Sequence, residues 1–96
     1  MQKEIVVMKN KDWSLNLEDL YYEDKPNIMI QESVEAVRLT KQGFYVNVVT
    51  PSINGDPRNW LIPALEDQLT AQGIDRRDIL YIDECGCGGH VTRIFR

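Results

Sequence analysis

The residues best suited to chemistry in this 96-residue chain are gathered in one short segment, "CGCGGH", from Cys85 to His90. The segment contains both cysteines, the only histidine and three of the six glycines of the sequence. Thiolate and imidazole groups can bind metals, attack substrates or carry redox equivalents, and glycine leaves the backbone between them free of side chains. The segment is therefore the first candidate for a functional site.

A metal site is one interpretation of this segment, with Cys85, Cys87 and His90 as ligands. These ligand types suit Zn²⁺ or Cu(I). Structural zinc sites, however, use four ligands and commonly a C-x-x-C spacing, whereas this segment offers three ligands and a C-x-C spacing. The fourth ligand would have to come from Asp83, Glu84 or a second subunit, so a dimer is one arrangement that this interpretation allows.

Thiol catalysis or a redox role is a second interpretation. A reactive thiolate needs a base or a positive neighbourhood, and His90 is close in sequence. The acidic residues Asp83 and Glu84 work against it, because negative charge disfavours the thiolate. A disulfide between two cysteines with one residue between them would also close a very tight, strained ring.

A purely structural interpretation is the third. Cysteines often act as small apolar residues, and glycines allow the tight turn of a hairpin. The protein would then be an interaction module that carries a cysteine-bearing hairpin. This interpretation leaves unexplained why the cysteines, the histidine and half of the glycines occur together.

Composition and charge exclude several classes of function. The net charge is −4 and no basic stripe is present, so nucleic-acid binding is not expected. The apolar run at 5–8 is too short for a signal peptide, which needs about 7–15 apolar residues, and no run approaches the ~18 residues of a membrane span. We therefore expect a cytoplasmic protein without membrane contact, in which the two cysteines are not a structural disulfide.

The elements that position the segment can be predicted from hydrophobic spacing and from the glycine and proline pattern. In chain order they are strands at 4–8 and 12–17, a helix from Pro26 to Gly43, a strand at 44–50, a helix from Asp56 to Gly73, and strands at 78–83 and 90–96. Pro63 is expected to kink the second helix or to delay its start. This β-β-α-β-α-β-β order predicts a single α/β domain over 1–96, with a mixed sheet packed against two helices.

Four stretches of the chain carry a resemblance to a known family. They are "KDWSLNLE", "FYVNVVT", "DPRNWLIPALED" and "YIDECGCGGHVTR". In order and spacing they resemble the CGCGG family, small proteins that are regarded as precursors of ribosomally synthesised, post-translationally modified peptides (RiPPs). The resemblance covers most of residues 11–94, and its last block is the most specific.

The resemblance implies a substrate rather than an enzyme, with no cofactor of its own and with a radical SAM maturase as the modifying partner. It implies that the modification falls on Cys85, Gly86, Cys87, Gly88 and Gly89. A radical SAM enzyme can remove hydrogen from a carbon, such as a glycine α-carbon, and a cysteine sulfur can then close onto that carbon. His90 would be the first residue of the closing strand, and the acidic stretch "EDLYYED" could assist docking of the maturase.

Overall fold

A computed structural model describes residues 8–84 and 89–96 of the chain, and for Glu84 the backbone only. The strands are β1 (Trp13–Asn16), β2 (Tyr45–Thr50), β3 (Asp78–Glu84) and β4 (His90–Phe95), and the helices are α1 (Pro26–Leu39) and α2 (Leu61–Ala71). Short 3₁₀ turns lie at Leu20–Tyr22, Ser52–Asn54 and Pro57–Asn59. This is the predicted small α/β domain, with its elements in the predicted order. The strand expected at 4–8 lies, apart from Met8, outside the described residues.

The sheet is mixed, with the strand order β1-β2-β4-β3. β1 pairs with β2 in parallel, while β4 lies between β2 and β3 and is antiparallel to both. β1, β2 and β3 therefore run in one direction, and their carboxyl ends meet at one edge of the sheet. β2 is a central strand, as its two apolar faces predicted.

The core lies between one face of the sheet and the two helices. Along β2 the side chains alternate, so that Val46 and Val48 are fully buried while Tyr45 and Asn47 lie on the opposite face. The helices present apolar stripes of period 3.6 to this buried face. The buried hydrophobic cluster is Leu17, Met29, Val34, Ala36, Val37, Val46, Val48, Leu61, Leu65, Leu69, Ile74 and Ile94, with Trp13 and Trp60 packed against it.

On the opposite face of the sheet, side chains from neighbouring strands pack on one another. Tyr45 and Phe95 pack edge to face with ring centroids 5.4 Å apart. The guanidinium of Arg93 stacks 4.1 Å from the centre of the Tyr45 ring and donates a hydrogen bond of 2.8 Å to Asn47 Oδ1. Leu80 pairs with Arg93 in the β3–β4 ladder and belongs to the same face.

The helix boundaries differ from those predicted. α1 ends at Leu39 rather than Gly43, because Thr40 turns to an extended conformation and forms a parallel bridge with Lys9. The second helix begins at Leu61 rather than Asp56, which is the delayed start that Pro63 predicted as one alternative. The residues from Pro57 form a 3₁₀ turn that Asp56 caps. Helices of 14 and 11 residues are also short for a bilayer, which needs ~20, and no helix of the described residues could cross a membrane.

Candidate functional site

The carboxyl ends of β1, β2 and β3 and the start of β4 form one edge of the sheet, which we call the segment edge. The CGCGG segment, residues 85–89, connects the end of β3 to the start of β4 there. Glu84 and His90 are the last paired residues of the β3–β4 ladder, and His90 also pairs with Thr50 at the end of β2. Open α/β sheets commonly carry their functional sites at such a carboxyl edge.

Of the six residues in CGCGGH, the structure describes Gly89 and His90. The predicted modification sites Cys85, Gly86, Cys87 and Gly88 lie outside the described residues. The topology nevertheless brings both ends of that stretch to the same place, because Glu84 and His90 face each other across the ladder. The residues that hold these two ends therefore define the surroundings of the candidate site.

Gly89 is buried at the segment edge, where it lies against the carboxylate of Glu18. A Cβ atom at this position would also stand 2.8 Å from the carbonyl oxygen of Thr50, well inside van der Waals contact. A close approach of backbone to its neighbours is one of the situations that require glycine. Gly89 thus holds the carboxyl end of the CGCGG segment against Thr50 at the end of β2 and against Glu18, which follows β1.

His90 is half-buried and begins β4, as the sequence predicted. Its Nδ1 atom lies 3.0 Å from the hydroxyl oxygen of Tyr81, at hydrogen-bonding distance in either tautomer. A β-bulge between Tyr81 and Asp83 shifts the register of β3 just before this end of the ladder. The hydrogen bond orients the imidazole ring through Nδ1. Nε2 is the ring nitrogen that takes no part in this contact.

Tyr81 is in turn supported from the β2–α2 loop. The guanidinium carbon of Arg58 lies 4.5 Å from the centre of the Tyr81 ring. Arg58 forms an ion pair of 2.6 Å with Asp56, whose carboxylate also accepts a hydrogen bond from the backbone N–H of Arg58. A continuous set of polar contacts therefore runs from Asp56 through Arg58 and Tyr81 to His90.

The ionisation of Asp56 reflects these contacts. The hydrogen bonds from the Arg58 side chain and backbone lower the pKa of Asp56 from its ordinary value to about 2, and the charge of His90 acts in the same direction to a smaller extent. The carboxylate stays ionised at all physiological pH values. Its role in the structure is to hold Arg58 and to cap the 3₁₀ turn Pro57–Asn59.

The loop from β1 to α1 forms another wall of the segment edge. It contains the stretch "EDLYYED", predicted as a loop and observed to hold the 3₁₀ turn Leu20–Tyr22, which Asp19 caps by accepting a hydrogen bond from Tyr21 N–H. A shallow depression of about 290 Å³ is lined by Asn16, Glu18 and Asp19. This wall of the edge is acidic.

The described residues contain no group of three or more histidine, cysteine, aspartate or glutamate side chains that could hold a metal ion. The alternative ligand set of Cys85, Cys87 and His90 includes two residues that are not described. Only its His90 member can be placed, at the start of β4 with one ring nitrogen beside Tyr81. The contacts from Tyr81, Arg58 and Glu18 were not predicted, because a sequence does not show which strand lies beside which.

The fold and the segment edge define a class of protein: a small α/β domain that carries a cysteine- and glycine-rich connection between two antiparallel strands. The chain belongs to the family described as "Putative radical SAM target protein", whose model matches residues 2–96. That description presents its members as targets of a radical SAM enzyme, and it implies such an enzyme as the partner. No curated protein and no solved structure matches the chain.

Proposed function

We propose that this protein is a RiPP precursor whose CGCGG segment is the substrate of a radical SAM maturase. The observation that carries the proposal is the pairing of Glu84 with His90, which brings both ends of the cysteine-rich connection to one edge of a folded domain of the radical SAM target family. The sulfur atoms that react are those of Cys85 and Cys87. Their partners are the α-carbons of Gly86, Gly88 and Gly89.

The reaction we propose is formation of a thioether bond. The maturase radical takes one hydrogen atom from a glycine α-carbon, where the resulting radical is stabilised by the flanking amide nitrogen and carbonyl. The cysteine sulfur forms a bond to that carbon, the thiol proton goes to a base, and one electron passes to an acceptor of the maturase. Each thioether therefore removes two hydrogen atoms from the protein.

The three glycines are not equivalent substrates in this scheme. Gly89 is packed against the carboxylate of Glu18 and the carbonyl of Thr50. An enzyme would reach its α-carbon only after the start of β4 had separated from the end of β2. We propose that Gly86 and Gly88 react in the folded protein, and that Gly89 reacts only if the segment edge opens.

The product is a modified folded protein rather than a short released peptide. β4 follows the CGCGG segment directly and lies between β2 and β3. Its residues Thr92 and Ile94 are fully buried, so excision of the segment would cut a central strand of the core off from the rest of the chain. The fold is expected to remain intact around the modification.

The test is co-expression of the protein with the proposed radical SAM maturase. Intact mass should fall by two hydrogen atoms for each thioether, and the modified cysteines should resist alkylation. Cys85→Ser and Cys87→Ser, each alone, should reduce the mass loss. An unchanged mass with both cysteines alkylated would overturn the proposal.

A metal-binding or redox-carrier role is the second candidate, with Zn²⁺ or Cu(I) on Cys85, Cys87 and His90. The hydrogen-bonding distance between His90 Nδ1 and the Tyr81 hydroxyl favours it, since a metal-bound histidine usually donates its other ring N–H to such a partner. Elemental analysis of anaerobically purified protein should then show stoichiometric metal that is lost in the Cys85→Ser/Cys87→Ser double variant. Metal-free wild-type protein would remove this candidate.

A further inference from the structure

The three most exposed large hydrophobic side chains of the described residues lie on two loops that leave the segment edge. Leu20 is 81% exposed, Ile53 is 73% exposed and Tyr21 is 55% exposed. Leu20 and Tyr21 follow the end of β1, and Ile53 follows the end of β2. Large apolar side chains grouped in this way commonly mark an interaction site.

These side chains are held by ordered loops that touch each other. The Asn54 side chain donates a hydrogen bond of 2.8 Å to the carbonyl oxygen of Glu23, which joins the β2–α2 loop to the β1–α1 loop. Lys25 donates a hydrogen bond of 3.0 Å to the Tyr21 carbonyl, and its ammonium lies 4.7 Å from the centre of the Tyr21 ring. Such restraint lowers the entropy that would be lost on binding a partner.

The surroundings of these apolar side chains are strongly acidic. Residues 18–25 carry four carboxylates, on Glu18, Asp19, Glu23 and Asp24, and one cation, on Lys25. Lys25 is engaged with Asp24 in an exposed ion pair of 3.1 Å. A partner that covers Leu20 and Tyr21 must therefore bring positive charge to the rim of the interface.

We propose that Leu20, Tyr21 and Ile53, with the carboxylates of Glu23 and Asp24, form a docking surface for the radical SAM maturase. The partner surface is an apolar depression bordered by arginine or lysine side chains. This inference rests on the proposed function and names the part of the protein that the maturase recognises. The docking surface and the CGCGG segment share one edge, so an enzyme bound to the loops has the segment within reach.

Recognition outside the reacting segment gives the maturase a physical advantage. Binding energy from remote contacts can be used to hold a reacting group at high effective concentration. The CGCGG segment itself offers little binding surface, since three of its five residues are glycine. Docking on ordered loops supplies the affinity that such a segment lacks.

The test compares binding and modification by the maturase for matched surface variants. The variant Leu20→Ser/Ile53→Ser removes two exposed side chains and is expected to raise the Kd for the maturase about 10- to 100-fold, as truncation of interface anchors does. Leu80→Ser is the control, because Leu80 is also exposed, at 46%, but belongs to the sheet face opposite the core. Its Kd should equal that of the wild type, and circular dichroism should show all variants folded.

A separate variant tests the carboxylates of the docking surface. Asp24→Lys replaces a carboxylate by a cation, and it should slow association with the maturase and weaken the dependence of association rate on salt. The variant Cys85→Ser/Cys87→Ser should bind as the wild type does, because docking precedes chemistry. With excess maturase, Leu20→Ser/Ile53→Ser should still be modified.

The outcomes separate this inference from the proposed function. A wild-type protein that is modified while Leu20→Ser/Ile53→Ser keeps the wild-type Kd would overturn the docking surface and leave the proposed function standing. Wild-type protein that binds the maturase through these loops but is not modified would overturn the proposed function and leave the docking surface standing. If sedimentation instead shows a wild-type dimer that this double variant dissociates, the surface binds a second copy of the chain and the inference is wrong.

Discussion

The carboxylate of Glu18, just after β1, lies against Gly89, the last residue of the CGCGG segment. The contact joins residues 71 positions apart in the chain. It ties the carboxyl end of the segment to the same loop that carries the exposed Leu20 and Tyr21. The segment edge is therefore one connected structural unit rather than a set of independent loops.

Gly89→Ala is expected to destabilise the protein by about 1–3 kcal/mol, because the added methyl group overpacks the contact with Glu18 and Thr50. Glu18→Ala should relieve part of that loss, which a double-mutant cycle from urea unfolding would show as a coupling free energy. Gly73→Ala is the control. Gly73 has φ +68° and open space around it, so its cost should be independent of Glu18. A Gly89→Ala protein as stable as the wild type would contradict the packing.

Tyr81→Phe should reduce the free energy of unfolding by about 0.5–1.5 kcal/mol, the usual net value of one hydrogen bond, since the His90 ring loses its partner. Tyr45→Phe is the matched control. Its ring packs on Phe95, and the described residues provide no hydrogen-bond partner for its hydroxyl group. Urea unfolding should show a change within about 0.5 kcal/mol for this control. Equal losses for the two variants would show that the Tyr81–His90 bond is not formed.

The stability of the β2–α2 loop should depend on pH through Asp56. The pKa of Asp56 is lowered in the folded protein from 3.8 to about 2, so folding favours the ionised form. The resulting stabilisation is present above pH 3.8 and is lost as the pH falls toward 2. Urea unfolding, monitored by tryptophan fluorescence, should show wild type more stable than Asp56→Asn at pH 6, with a smaller difference at pH 2.5. A difference independent of pH would contradict this assignment.

Ile94→Ala should cost about 2–5 kcal/mol, because Ile94 is fully buried in the central strand β4. Ile82→Ala is the control, since Ile82 on β3 is 41% exposed and should cost much less. Equilibrium unfolding of both variants checks the difference. Similar small losses would mean that β4 is dispensable to the core, and a released peptide would then become compatible with the fold.

Local sequence patterns predicted the elements but not their arrangement. The alternation Val46, Val48 identified β2, and the spacing of Leu61, Leu65 and Leu69 identified α2, because each pattern reflects burial along one element. The end of α1 was placed too late because the bridge from Thr40 to Lys9 is a tertiary contact. Asp56 did not start α2, because Asp56 and Pro57 suit a 3₁₀ turn as well as an α-helix, and the later start is one of the two outcomes that Pro63 predicted.

The candidate site was only partly predictable for the same reason. The clustering of rare residue types along the sequence identified the CGCGG segment and His90 as the candidate site. The insertion of β4 between β2 and β3 is set by long-range packing, so neither the Glu18–Gly89 contact nor the contact of Arg58 with Tyr81 could be read from the chain. The predicted roles of Cys85 and Cys87 stay predictions.

The measurement that tests the central claim most directly is high-resolution intact mass of the protein made together with its maturase, followed by fragmentation across residues 78–96. We expect a loss of two hydrogen atoms for each thioether, with the loss confined to fragments that contain Cys85–Gly89 and absent from the Cys85→Ser/Cys87→Ser protein. An unmodified mass in the presence of active maturase, with both thiols still open to alkylation, would contradict the account.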